Sequence, residues 1–180
     1  ERRVRPDAAV LIAPMLGFLA PYPDWLGLRV AQVMCRIGDP ARAAWKVSEK
    51  PGSPMVLRQA LLTHDPDRYA DEQVWQAINP VLRLGPASWR WVRGACRSSI
   101  RVAQSGGLEG VDVPILTLSA SADKLVSAKA TERQAARIPG AQLHVYGPEA
   151  AHELLREADP VRNDALARID AFLAGVRAAG

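Results

Sequence analysis

Two short apolar runs, Val113-Pro114-Ile115-Leu116-Thr117-Leu118 and Ala141-Gln142-Leu143-His144-Val145-Tyr146, flank a stretch of helical character. From Gly107 onward the rhythm is strand, helix, strand, helix, and that rhythm leaves few folds open. Parallel strands cannot be joined by a tight turn, so each needs a crossover whose helix covers the sheet. The pattern predicts strands over 113–119 and 141–146. It predicts a helix over about 127–137, closed by Pro139-Gly140, and a terminal helix with Asp159 as N-cap and Pro160 at N1. Leu166, Ile169, Leu173 and Val176 would give that last helix one apolar face.

A further run, Ala8-Ala9-Val10-Leu11-Ile12-Ala13-Pro14, reads as a strand buried on both faces of a parallel sheet. Between Met15 and Gly107 the character changes. This segment holds all five tryptophans, Trp25, Trp45, Trp75, Trp89 and Trp91, and reads as helices joined by Pro- and Gly-marked turns. Asp24 caps a helix with Leu26, Val30, Val33, Met34 and Ile37 at helical spacing, stopped by Gly38. Val74, Trp75 and Ile78 form a second stripe. Trp89, Val92, Cys96, Ile100 and Ala103 form a third, ended by Gly106-Gly107. So long a helical block exceeds a simple crossover, and a cap over the strand ends explains it better. The expected organisation is a partial α/β core over 1–16 and 108–180, with a helical cap or lid inserted over 17–107.

Composition excludes several classes. Hydrophobic residues make up 48% of 180, enough for a core, and no stretch is long and apolar enough to span a bilayer. The start, Glu1-Arg2-Arg3-Val4-Arg5-Pro6, is charged and lacks the apolar region of a secretory signal. It is not Met and runs almost directly into a strand, which is how a fragment begins. A net charge of +4 invites a nucleic-acid reading. Beyond Arg2, Arg3 and Arg5, however, the arginines read as spread singly, so no nucleic-acid partner is expected. Cys35 and Cys96 lie in separate helices without metal-ligand spacing and read as buried thiols. No metal site is expected from that spacing.

The residues that carry chemistry follow the two strands. Asp123 lies just past the first, in Ser121-Ala122-Asp123-Lys124-Leu125-Val126. His152 lies past the second, in Ala150-Ala151-His152-Glu153-Leu154-Leu155. Carboxyl ends of parallel strands share one edge, where ligands bind in open α/β sheets. An acid and then a histidine are the last two members of a nucleophile–acid–base triad in α/β-hydrolase order. No G-x-S-x-G elbow occurs, so the first member is missing. His144 reads as a packing residue within its strand, and His64 as a turn or structural residue. Asp112 sits at the wrong end of its strand, and Glu153 should point away from the base.

Several segments resemble the monoacylglycerol lipase and lysophospholipase L2 group of serine hydrolases (serine aminopeptidase S33-like). They are Ala13-Pro14-Met15-Leu16-Gly17, Leu62-Thr63-His64-Asp65 through Arg68-Tyr69, and Asn79-Pro80 with Leu84-Gly85-Pro86. The helix start from Trp89 to Trp91-Val92, Ala122-Asp123-Lys124-Leu125-Val126 and His152-Glu153-Leu154-Leu155 complete the set. The resemblance spans nearly the whole chain. It implies the C-terminal part of an α/β-hydrolase fold, three parallel strands with flanking helices, carrying an inserted cap. It implies ester hydrolysis through an acyl-serine on a small-molecule ester or lipid, with Asp123 and His152 as acid and base and no cofactor. The serine and the oxyanion-hole amides would lie upstream, in a missing N-terminal half, so the chain alone should be inactive. A cytoplasmic location follows, with peripheral contact at the inner membrane left open, since no strongly basic amphipathic helix demands it. Two alternatives stand beside this reading. One keeps the fold with another nucleophile or substrate, as in dehalogenases, epoxide hydrolases or peptidases. The other is a truncated, non-catalytic half acting as a binding or interaction module.

Overall fold

Strand β2, Ile115–Ala120, is buried at all six residues and forms the middle of the sheet. A computed structural model describes residues 6–45, 55–83 and 85–179 of the chain. Arg2, Arg3, Arg5 and Leu84 lie outside the described residues. On one side β2 pairs in parallel with β1, Ala9–Ile12, in the register Val10 to Leu116 and Ile12 to Leu118. On the other it pairs in parallel with β3, Gln142–Tyr146, Leu118 facing His144 and Ala120 facing Tyr146. The order β1-β2-β3 confirms a parallel three-stranded sheet. The expectation that β1 is buried on both faces is corrected, because all four of its residues are half-buried. Its only ladder among the described residues is to β2.

The terminal helix, Asp159–Ala179, seals one face of the sheet. Val161, Ala165 and Phe172 join Leu116, Leu118, Ala120, Tyr146, Ala150 and Leu154 in the core, with Ile169, Leu173 and Val176 packed against them. Phe172, not Leu166, completes the stripe. The first helical bond of this element goes to the Ala158 carbonyl, so the cap lies one residue before Asp159. The 127–137 helix is shorter than expected, spanning Ala128–Ala135, and Ser127 caps it by accepting from the Ala130 N–H. Gly140, at φ 71, makes the left-handed turn into β3.

Between β1 and β2 the described residues form four α-helices, α1 (Asp24–Arg36), α2 (Met55–Leu62), α3 (Pro66–Ile78) and α4 (Trp89–Ala103). The two later ones, Ala128–Ala135 and Asp159–Ala179, are α5 and α6. Local chemistry explains the starts of α3 and α4. Asp65 accepts from the Arg68 N–H with Pro66 in the first turn, and Ser88 accepts from the Trp91 N–H. Helix α1 departs from expectation. Its N-cap is Pro23, and the Asp24 carboxylate instead takes the Ser99 hydroxyl on α4. The face of α1 that packs is small, with Gly27 and Ala31 buried. A Cβ on Gly27 would stand 3.2 Å from the Cys96 sulfur, so glycine sets the approach of α1 to α4. The large apolar stripe is correspondingly outside. Leu26, Val30, Val33 and Ile37 are exposed, as are Val74, Trp75 and Ile78 on α3. Cys96 is buried, whereas Cys35 is only half-buried, and both thiols are free.

Candidate active site

The turn after β2 is built around one carboxylate. The Asp123 N–H donates to the Ala120 carbonyl at 3.2 Å, folding the chain back as the strand ends. Its Oδ1 accepts from the Leu125 N–H at 2.7 Å and the Val126 N–H at 3.0 Å. This is the local bonding that makes Asp favourable in turns. The same turn is tied to the segment after β1 through the Phe18–Val126 bridge and the Ser127 N–H to the Gly17 carbonyl. Ala13, at φ 42, bends β1 out of its strand at this rim.

The second loop leaves β3 at Tyr146 and arrives at His152 through the buried pair Ala150 and Ala151. There the imidazole Nδ1 lies 2.7 Å from Asp123 Oδ2. The carboxylate side chain is fully shielded, while the imidazole keeps 25% exposure. The two predicted site residues therefore meet on the carboxyl rim of the sheet. Burial pushes the Asp123 carboxyl up, but the hydrogen bond from His152 and the Val126 and Leu125 amides outweigh it. The group titrates below the usual carboxylate range. A carboxylate held in that way fixes the imidazole tautomer and stabilises the imidazolium. His152 Nε2, on the far side of the ring, has no partner among the described residues and is free to exchange a proton.

The other titratable groups fall elsewhere. His144 stacks edge-on against Tyr146 with ring centres 4.5 Å apart. Asp112 precedes β2 at the opposite end. Glu153 turns to Arg156 at 2.6 Å. His64, in the turn between α2 and α3, places its Nδ1 3.0 Å from a carboxylate oxygen of Glu157. Glu157 is fully buried and was missed in the sequence, where it reads as an ordinary charged residue before α6.

The reading of the arginines as singly spread is also corrected. Arg90, Arg93, Arg97 and Arg101 recur at helical spacing on α4, opposite its buried Ala95, Cys96 and Ser99. None of the four has an ion pair or side-chain hydrogen bond among the described residues. Arg68, Arg137, Arg156 and Arg168, by contrast, are each paired with a carboxylate. The spacing was readable in the sequence, but only once the helix and its buried side were known. Among the described residues no cluster of three or more His, Cys, Asp or Glu could hold a metal. No helix there is long and apolar enough to cross a membrane.

The chain is similar in sequence and fold to several known proteins. Over 177 residues the chain is 27% identical to lysophospholipase L2 of Escherichia coli, covering 92% of the chain and 50% of that protein. Over 95 residues it is 35% identical to a probable lysophospholipase L2 of Haemophilus influenzae, covering 53% of the chain and 29% of the relative. The chain thus spans half or less of the curated relatives it matches. Its fold is similar to a soluble variant of monoglyceride lipase from Saccharomyces cerevisiae solved with a substrate analog. That similarity has TM-score 0.66 at 15% identity, over 94% of the chain and 56% of that structure. The monoacylglycerol lipase of Paleococcus ferrophilus gives TM-score 0.64 at 18% identity, over 93% and 59%. The family model described as serine aminopeptidase, S33, matches residues 1–159. That match covers most of the chain, the parallel sheet flanked by helices agrees with it, and the chain belongs to the serine aminopeptidase S33 family of α/β-hydrolases.

Proposed function

We propose that this chain supplies the acid and base of a serine ester hydrolase acting on lipid-like esters, with Asp123 as acid and His152 as base. The observation that carries the reading is the 2.7 Å contact of His152 Nδ1 with Asp123 Oδ2 at the ends of adjacent parallel strands. His152 Nε2 would take the proton of a serine hydroxyl as that oxygen attacks the ester carbonyl. It would then return the proton to the departing alkoxide, and a water repeats the cycle to free the acid. The sequence contains no G-x-S-x-G, so the serine and its oxyanion-hole amides are proposed to lie outside these residues. Under this reading 1–16 and 108–180 belong to the hydrolase core, and 17–107 form a cap over its rim. The names of the relatives favour a monoacylglycerol or lysophospholipid substrate. The arginine face of α4, without ion-pair partners among the described residues, supports contact with an anionic membrane surface, and on this reading the protein would work in the cytoplasm at the periphery of the inner membrane.

A fluorophosphonate probe tests the division of labour, because it reacts only with an activated serine. This chain alone should remain unlabelled and should not release fatty acid, while a protein that joins it to a serine elbow should do both. Labelling of the chain by itself would place the nucleophile within it and overturn the split. A second reading, a binding module without turnover, is favoured by the same lack of an elbow. It requires that no native form of the protein reacts with the probe.

A further inference from the structure

A carboxylate withdrawn from water is costly unless donors surround it. Glu157 is 0% exposed, and its donors come from two parts of the chain far apart in sequence. One oxygen accepts from the Ala151 N–H at 2.7 Å and lies 3.0 Å from His64 Nδ1. The other accepts from the His64 N–H at 3.0 Å. The Ala151 amide stands one residue before His152. The amide one residue after it, that of Glu153, donates to the Leu62 carbonyl at 2.8 Å. Both amides flanking the histidine are thus held by the Leu62–Asp65 turn, one directly and one through the Glu157 side chain. The fully buried Thr63 hydroxyl closes the same seam by donating to the Arg156 carbonyl at 2.6 Å.

We propose that Glu157 is a positioning residue for His152. Its carboxylate pins the Ala151 peptide against the turn between α2 and α3, and so holds the imidazole Nδ1 on Asp123. This rests on the reading of His152 as the base, and it adds a role for a residue that touches neither substrate nor reacting atoms. An apolar side chain at 157 would leave the buried Ala151 amide and the part-buried His64 amide without acceptors, freeing the loop to turn the ring away. Glutamine is the conservative replacement. Its carbonyl can accept one of those amides, but its NH2 meets the other donor, so it should restore part of the function and not all.

The test reads the imidazole in this chain, not turnover. A proton shared between His152 Nδ1 and Asp123 should give a far-downfield, slowly exchanging resonance in the native protein. Glu157→Ala should abolish it while cooperative unfolding persists, and Glu157→Gln should retain it with reduced intensity. Either variant, folded and showing the native resonance undiminished, overturns the proposal. Where neither folds, amide exchange in the native protein decides. Ala151 N–H should be protected as strongly as the amides of β2, and rapid exchange there refutes the clasp. Asp123→Asn separates this failure from that of the acid–base reading. A resonance that survives Asp123→Asn does not come from the pair, and it then refutes the pair rather than the role of Glu157.

Discussion

A Cβ placed on Gly17 would stand 2.5 Å from the Ala130 Cβ, so the segment after β1 and helix α5 meet with no room for a methyl group. The Gly17 carbonyl also accepts from Ser127, the residue that caps α5 and closes the Asp123 turn. Gly17→Ala must therefore push α5 or the turn aside. We expect a loss of about 1–3 kcal/mol, the usual cost of overpacking, read as a lower urea midpoint with unchanged slope. A midpoint equal to that of the native protein would show that the contact yields freely.

Asp123→Asn should preserve the fold and remove catalysis. The amide can still accept from the Leu125 and Val126 N–H groups through its carbonyl. Its NH2 then faces His152 as a donor and the charge is gone, so the wrong tautomer is held. In the hydrolytically competent protein kcat should fall roughly 10⁴-fold, as when the acid of other such triads is neutralised. Full activity in a correctly folded variant would remove Asp123 from the site.

Stability should depend on pH through the same carboxyl. Its pKa in the folded state is lower than in the unfolded chain, because the hydrogen bonds from His152 and the two amides outweigh burial. The unfolded chain therefore binds more protons in between. The contribution is fully present above the unfolded value of about 3.9, and it is lost as pH falls through the lower folded value. Urea unfolding measured from about pH 6 to about pH 2 should show that acid-side component in the native protein and lack it in Asp123→Asn. Identical curves for the two would contradict it.

The outer edge of β1 carries backbone groups with no ladder partner among the described residues, on a strand of four apolar side chains. Such an edge is a template for pairing with another chain. Light scattering on this chain should show association that grows with protein concentration. A monodisperse monomer with a single cooperative melt at high concentration would mean that the edge is covered.

What could be read from the sequence was local. Asp123 and His152 were legible because each follows an apolar run of strand length, and parallel strands bring successive ends to one rim. The capping of α3 and α4 by Asp65 and Ser88 follows the same local logic. Glu157 was not legible, because its meaning comes from His64, 93 residues away. Asp24 looked like a cap and became a partner of Ser99 for the same reason. The stripe of Leu26, Val30, Val33 and Ile37 had the right period and the wrong side. Periodicity identifies a helix face without saying what it meets, and in α1 the glycine face packs more closely than the leucine face can.

The join of α1 and α4 has one more consequence, because it hides a sulfhydryl. Burial, with the Asp24 carboxylate nearby, pushes the Cys96 thiol up and keeps it protonated and unreactive. Cys35, on α1, is only half-buried. The protein thus carries a built-in gauge of how often its two helices part. An alkylating reagent can reach Cys35 from outside, but it reaches Cys96 only in the moments when Gly27 lifts away, so the slower of the two rates counts those openings.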